Sequence, residues 1–218
     1  MKETTLNNGW KFSLNGGEAR DVTLPHDFSM EQDRSETAAS GKDGGWYPGG
    51  GGRVAVCLGV ANADFSSGPM VTAYGGKVGT TTFAGAGTVY LETAAEGAGG
   101  GRLVVDASNA LVKNATVQQT VIGSEVTGDQ VGSVVVANAA KLYLDSGRTL
   151  SVSGDWLNSA TFASAVGGTV RFVGSGASLI RGVNDFANLT CTEPGKTLRF
   201  GTDGSRLNII SGGTLTLS

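Results

Sequence analysis

The single histidine, His26, stands beside Asp27 in Leu24-Pro25-His26-Asp27. A His–Asp pair does chemistry when the carboxylate orients the imidazole toward a nucleophile, but adjacent residues of an extended chain face apart, and no serine or cysteine nucleophile is signalled. His26 reads as a loop histidine. Glu31, Asp33 and Glu36 could supply the two carboxylates of a glycosidase. In a polar stretch that also holds Arg34 they read as solvated charges. Gly85-Ala86-Gly87-Thr88 and Gly174-Ser175-Gly176-Ala177 have the small residues of a phosphate cradle, yet the third glycine, the following helix and the P-loop lysine are missing. They read as corners of the chain. Asp129, Asp155 and Asp203 do not recur at the phase of the Gly-Gly-x-Gly-x-Asp unit of calcium-binding β-rolls, so calcium is not expected.

Cys57 and Cys191 belong to no CxxC or Cys/His cluster, which argues against structural zinc. Cys57 alternates out of phase with Val54, Val56 and Leu58, whereas Cys191 shares the phase of Leu189. The two thiols are therefore expected in different environments rather than in a disulfide. Asn114-Ala115-Thr116 and Asn188-Leu189-Thr190 satisfy the glycosylation sequon, which matters only in a eukaryotic secretory setting, and they receive no role. No catalytic, cofactor-binding or metal-binding residue is assigned, and no cofactor is expected.

The elements that would have to position any such group are themselves unusual. Gly accounts for 36 of 218 residues, more than twice the ordinary share, while charged residues are 16% and Pro only 4. Such a chain is neither collagen-like nor a charged disordered tail; it is ordered and dense in turns. The net charge of -3, from 16 basic and 19 acidic residues without a basic stripe, excludes nucleic acid as an expected partner. Met1-Lys2-Glu3-Thr4-Thr5 is followed by no apolar stretch, so no signal peptide is read, and nowhere do about 18 apolar residues run together to span a membrane. The last residues, Gly212-Gly213-Thr214-Leu215-Thr216-Leu217-Ser218, stop within a strand-like pattern, and both natural ends of a larger protein are expected to lie outside the sequence.

Two patterns divide the chain. Residues 1–50 hold 8 acidic and 5 basic side chains, two of the three tryptophans, the histidine and two of the four prolines; from residue 51 onward the charges number 11 and 11. The boundary falls near Gly49–Gly52. Beyond it apolar residues alternate in short segments: Arg53–Leu58, Gly87–Glu92, Arg102–Asp106 and Lys141–Asp145. Toward the C-terminus the segments become near copies of G-x-T-[LV]-x-[LVF], beginning at Gly147, Gly167, Gly195 and Gly212, at intervals of 20, 28 and 17 residues. Those intervals are about the path of one coil of a β-helix. Gly supplies a corner, Thr begins the strand, and two apolar residues two apart point inward. The reading is an all-β parallel β-helix over 51–218, with an antiparallel sandwich as the competing arrangement. In the solenoid, Leu150, Val170, Leu198 and Leu215 should form one inward column, with Val152, Phe172, Phe200 and Leu217 beside them.

The strings GGGGRVAV, VTAYGG, GAGTVYLE, GRLVVD and GTVRFVGSGASLIRG, followed by FANLTC, resemble the glycine-rich repeats of large bacterial surface or secreted proteins of the right-handed parallel β-helix kind. The resemblance implies a fold, an extracellular or cell-surface location, and a carbohydrate or cell-surface polymer as partner. Proteins of that kind include adhesins, filaments and polysaccharide lyases alike. Residues 1–50 resemble something else. Trp10, Leu24-Pro25-His26-Asp27-Phe28 and Gly45-Trp46-Tyr47-Pro48-Gly49-Gly50 are similar in order and spacing to the start of the jelly-roll-like sugar-binding domain of glycoside hydrolase family 2, the β-galactosidase and β-glucuronidase family. In that family a Gly-Trp-Tyr-Arg or similar strand follows, whereas here the glycines lead into Arg53-Val54-Ala55-Val56. Its catalytic barrel would come several hundred residues later, so no catalytic glutamate is carried over and the chain is not expected to be an enzyme. An incomplete jelly-roll-like fragment of about 50 residues holds only half a core and should not fold alone. Such a glycine-rich join is what a recombination, a misassembled reading frame or a deliberate fusion would leave. Two function classes follow: a non-catalytic structural or adhesive solenoid segment, and a carbohydrate-binding fragment of a family 2 hydrolase.

Overall fold

The computed structural model describes residues 50–66, 70–78, 80–124, 126 and 128–218, together with two short backbone strands nearer the N-terminus. The chain divides into two compact units, Met1–Tyr47 and Pro48–Ser218. In the first, β1 (Trp10–Phe12) pairs antiparallel with β2 (Arg20–Val22).

The second unit opens with β3 (Arg53–Leu58), β4 (Lys77–Val78), β5 (Thr82–Phe83) and β6 (Thr88–Thr93). It then coils. β7 (Arg102–Asp106) leads through β8 (Thr116–Val117) to β9 (Thr120–Ile122) and β10 (Gln130–Val131). The next coil is β11 (Ser133–Ala137), β12 (Lys141–Leu144) and β13 (Thr149–Val152), and the one after it β14 (Trp156–Asn158), β15 (Thr161–Ser164) and β16 (Thr169–Phe172). β17 (Gly176–Arg181) with β18 (Val183–Cys191), then β19 (Lys196–Phe200) with β20 (Arg206–Leu217), complete the stack. Two walls result: a seven-stranded sheet ordered β19-β17-β14-β11-β7-β6-β3, and an eight-stranded sheet ordered β10-β13-β16-β18-β15-β12-β9 with β20 on β18. From β7 onward every pairing in these two walls is parallel. The fold is an all-β parallel solenoid, and the antiparallel sandwich is excluded.

The four glycines that open the repeats, Gly147, Gly167, Gly195 and Gly212, all have positive φ, between 71° and 89°. Left-handed backbone turns the chain without steric cost only where there is no Cβ, so the corner recurs with the residue. Between corners the period of two sends alternate side chains inward, and parallel register stacks them coil upon coil. One inward column is Leu103, Val134, Trp156 and Ile180; another is Val131, Val152 and Phe172. Trp156, Phe162 and Phe186, each fully buried, meet with ring centroids 4.6 to 5.5 Å apart. Burying each of these large side chains stabilises the stack by about 1.5–3 kcal/mol, which no isolated coil could achieve.

Two departures from the sequence reading have physical causes. Leu150, Val170 and Leu215 do share a column, but its third member is Leu189, with Cys191 following Val152 and Phe172 in the column beside it. Leu198 and Phe200 lie on the other wall, opposite Ser178 and Ile180. The 28-residue interval between Gly167 and Gly195 is the sign: it is longer than one coil, so the motif returns one wall late. The second departure lies at the start of the stack, where β6 pairs antiparallel with β7 while β3 pairs parallel with β6. Residues 94–101, with positive φ at Gly97 and Gly99, are short enough to act as a hairpin connection rather than a coil.

Candidate functional site

That antiparallel start inverts β6 relative to its sequence pattern. Tyr90 stands opposite Leu103 and so faces the solenoid interior, whereas Val89 stands opposite Val104 and Leu91 opposite Arg102 on the outer face. Val54 and Val56 of β3 register with Val89 and Leu91 and share that outer face. Val89 is nonetheless buried, because Phe65 and residues 70–74 fold back over this side, with Gly87 N–H donating to Ala73 O at 2.6 Å. Gly87 is needed here for approach, not for φ: a Cβ on it would sit 1.9 Å from Gly52 O.

Beyond the cover the apolar line continues outward. Val104, Val135 and Leu157 stand in register on β7, β11 and β14, each half-buried, and Arg181 follows Leu157 on β17. A groove of about 330 Å³ borders Phe65, Met70, Tyr74 and Val104, with Arg102 and Asp106 at its margin. A second, of about 490 Å³, borders Val135, Leu157 and Val183, with Arg181 and Asp203 at its margin. Arg181 Nε lies 3.9 Å from Asp203 Oδ2. The Ser205 hydroxyl, donating to Asp203 Oδ1 at 2.5 Å, holds that carboxyl below its usual range, and Arg181 adds to the effect. An apolar strip edged by ions of both signs can hold an extended partner by contact and hydrogen bonding. The other wall presents a polar ladder instead: Thr214 Oγ1 donates to Asn188 Oδ1 at 2.9 Å, and Asn188 Nδ2 reaches Thr169 Oγ1 at 3.5 Å.

The residues singled out by sequence lie apart from one another. His26, Asp27, Glu31, Asp33, Arg34 and Glu36 lie outside the described residues. Gly174 and Gly176 are corners with positive φ, whereas Gly85 is a point of close backbone approach, a Cβ there meeting Gln119 O at 2.5 Å. Asp129 is exposed, Asp155 Oδ1 accepts from Leu179 N–H at 2.8 Å, and Asp203 faces Arg181; the three are not brought together. Among the described residues no group of three His, Cys, Asp or Glu is placed to hold a metal ion, and no helix is long and apolar enough to cross a membrane. Cys57 is exposed and Cys191 buried, both as free thiols. Asn114 occupies a positive-φ turn, and Asn188 belongs to the polar ladder.

No family model matches this chain, and no curated protein or solved structure does either. Function must therefore be read from the side chains themselves.

Three inward polar features, two of them buried and one half-buried, were not legible in the sequence. Asn184 Oδ1 accepts from Trp156 Nε1 at 2.8 Å and from Asn158 Nδ2 at 3.0 Å, while its own Nδ2 donates to the carbonyls of Arg181 and Gly182. Lys196, at 9% exposure, turns inward and donates to Ser153 O two coils away; burial lowers its pKa, partly offset by Cys191 and Asp155. Tyr90 Oη donates to Glu92 Oε2 at 2.5 Å, and burial together with that carboxylate pushes the phenol up to about 12. The available signal was a polar residue at an inward phase, which alternation alone cannot distinguish from an outward one.

Proposed function

We propose that this chain is a non-catalytic structural or adhesive segment of a bacterial surface or secreted protein, working outside the cell and engaging an extended carbohydrate or other cell-surface polymer. The observation that supports the reading is the outward apolar line Val104–Val135–Leu157 with its two flanking grooves. The outward positions of a solenoid wall need nothing apolar for folding, so a continuous half-buried line suits a partner laid across the coils. A β-linked polysaccharide has matching chemistry, with C–H ring faces for the valines and leucine and hydroxyls for Arg102, Asp106, Arg181 and Asp203.

The test is adsorption of the purified chain to insoluble cellulose, chitin and β-glucan. Val135→Lys and Leu157→Lys should each weaken adsorption about tenfold, equivalent to about 1.4 kcal/mol, while leaving the melting midpoint nearly unchanged. Release of new reducing ends that a single substitution in this chain abolishes would refute the non-catalytic reading. Adsorption indifferent to both substitutions would refute the outer face. A second reading, a carbohydrate-binding N-terminal fragment of a family 2 glycoside hydrolase, draws support from the antiparallel pairing of β1 with β2, the relation of neighbouring strands in a jelly roll. Binding of galactosides or glucuronides that depends on Trp10 would favour it.

A further inference from the structure

Among the described residues the first coil does not close over its own core. A cavity of about 510 Å³ lies there, floored by Leu103, Ile122 and Val131 and walled by the inward face of β6. That wall is polar: Tyr90 and Glu92 face in, and the loop after β6 is drawn over them by Gly99 N–H donating to Glu92 Oε2 at 2.8 Å and Gly101 N–H donating to Tyr90 Oη at 3.0 Å. Gln130, on the facing wall, approaches the same loop, its side chain 3.5 Å from where a Cβ on Gly99 would stand. Glu92 and Gln130 therefore flank one glycine at the rim of one cavity. Arg53 crosses the rim, its Nη2 3.3 Å from Val121 O.

The second oxygen of Glu92, on a half-buried side chain, and the amide of Gln130, exposed at the rim, bond no described residue and are open to a ligand. A carboxylate oxygen accepts only, so it calls for a donor; a primary amide both donates and accepts, so it suits a hydroxyl or a pair of them. The floor calls for C–H surface, the rim holds one carboxylate, Glu92, and one guanidinium, Arg53, so the site offers no net charge to an ionic ligand, and the size is that of a small-molecule site. We infer that this cavity binds one neutral hydroxylated ring, a pyranose unit, with its hydroxyls on Glu92 and Gln130 and its apolar face on Leu103, Ile122 and Val131. The site is independent of the outer line of the seven-stranded wall and shares none of the side chains substituted to test it.

Ligand-observed saturation-transfer NMR and calorimetry on the full chain test this with glucose, galactose, mannose and N-acetylglucosamine, with glucuronate and phenol as contrasting probes. Saturable binding of at least one neutral sugar is expected, weaker binding of glucuronate than of its neutral counterpart, and weakening of about tenfold or more in Glu92→Gln, which loses the charge-assisted hydrogen bond, and in Gln130→Leu, which loses both the donor and the acceptor. Glu92→Gln keeps an acceptor for Tyr90 and Gly99, and the cavity-filling Val131→Phe should abolish binding without touching the polar rim. Unchanged melting midpoints in Glu92→Gln and Gln130→Leu separate loss of the site from loss of the fold. Val135→Lys and Leu157→Lys should leave sugar binding intact, so the outer face can fail without this site failing. Absence of binding by all four neutral sugars, binding of phenol alone, or binding indifferent to both rim substitutions would overturn the inference.

Discussion

Leu189 occupies the position that the repeat pattern would give to Leu198, and a pair of truncations decides whether the Leu150–Val170–Leu189–Leu215 column is the one that holds the chain together. Leu189 is fully buried between Val170 and Leu215, in the column that begins at Leu150. Leu189→Ala removes packed atoms from a site whose neighbours belong to other coils and cannot collapse inward, so the full transfer and cavity cost applies, about 3 kcal/mol within a usual range of about 2–5. Leu198 is only half-buried on β19, the last strand of its wall, and its partner Ser178 offers little apolar contact. Leu198→Ala should cost about 1 kcal/mol. In a unit of this size each kcal/mol moves the melting midpoint by about 2–4 °C, so the two variants should separate by about 4–8 °C in circular-dichroism melts. Arg199→Ala, outward and exposed, is the reference that should not move. Equal losses at Leu189 and Leu198 would mean that the third copy of the motif does stack on Leu150 and Val170, and the pairing of β16 with β18 would be wrong.

Single residues elsewhere in the stack offer three more tests. Gly182 has φ +85° and a Cβ on it would sit 1.7 Å from Asn158 O, so Gly182→Ala should cost about 3 kcal/mol or more, whereas Gly174→Ala, at φ +74° with nothing closer than 4.0 Å, should cost only about 1 kcal/mol of strain; paired melts check both. Asn184→Leu strands the donors of Trp156 and Asn158 in the core and should cost about 2–4 kcal/mol, read by urea unfolding with an unchanged slope. Because burial lowers the folded pKa of Lys196, the unfolded chain holds more protons as pH rises toward 10.5, so this residue's contribution to stability increases with pH over that window and Lys196→Met should remove the increase. Burial raises the Cys191 thiol, whose stabilisation is lost as pH rises above 9.0, so the comparison belongs in a Cys191→Ala background.

How far the sequence could be read depended on which property a residue advertised. The glycine corners were legible because positive φ has few occupants, and Gly147, Gly167, Gly195 and Gly212 all adopt it. The inward phase of Leu150, Val170 and Leu215 was legible because alternation has only two solutions. What alternation cannot supply is the wall on which a strand lies. β17 and β18 are separated by Gly182 alone, so that coil has one tight corner where others have longer ones, and the next copy of the motif falls on the facing sheet. Nor could alternation assign the faces of β6. Tyr90 and Glu92 on one side and Val89 and Leu91 on the other read as polar outside and apolar inside; the hairpin at residues 94–101 and the covering segment reverse both. The mouth cavity was invisible for that reason.

The reversal at β6 gives the molecule two unlike surfaces from one strand. A coil continuing the parallel stack would have put Val89 and Leu91 onto the core and closed it with hydrocarbon. With the strand reversed, the apolar side chains begin an outer line that Val104, Val135 and Leu157 extend across the coils, and the polar ones are left at the open end of the interior. Glu92 is costly at such a place unless its charge is satisfied, and Tyr90 with the backbone of Gly99 satisfies one oxygen. Glu92 borders a cavity of about 510 Å³, whereas stacked coils elsewhere in the described chain leave inward side chains in contact. An arrangement that keeps a carboxylate at the edge of an apolar chamber, when a valine or isoleucine would close it, loses stability for the sake of whatever hydrogen-bonds there. Glu92→Ile therefore gives a direct discriminator between a site and an imperfect end: combined with Tyr90→Phe it should raise the melting midpoint while ending sugar binding, and a double variant that melts lower than the parent would show that the pair serves the loop rather than a ligand.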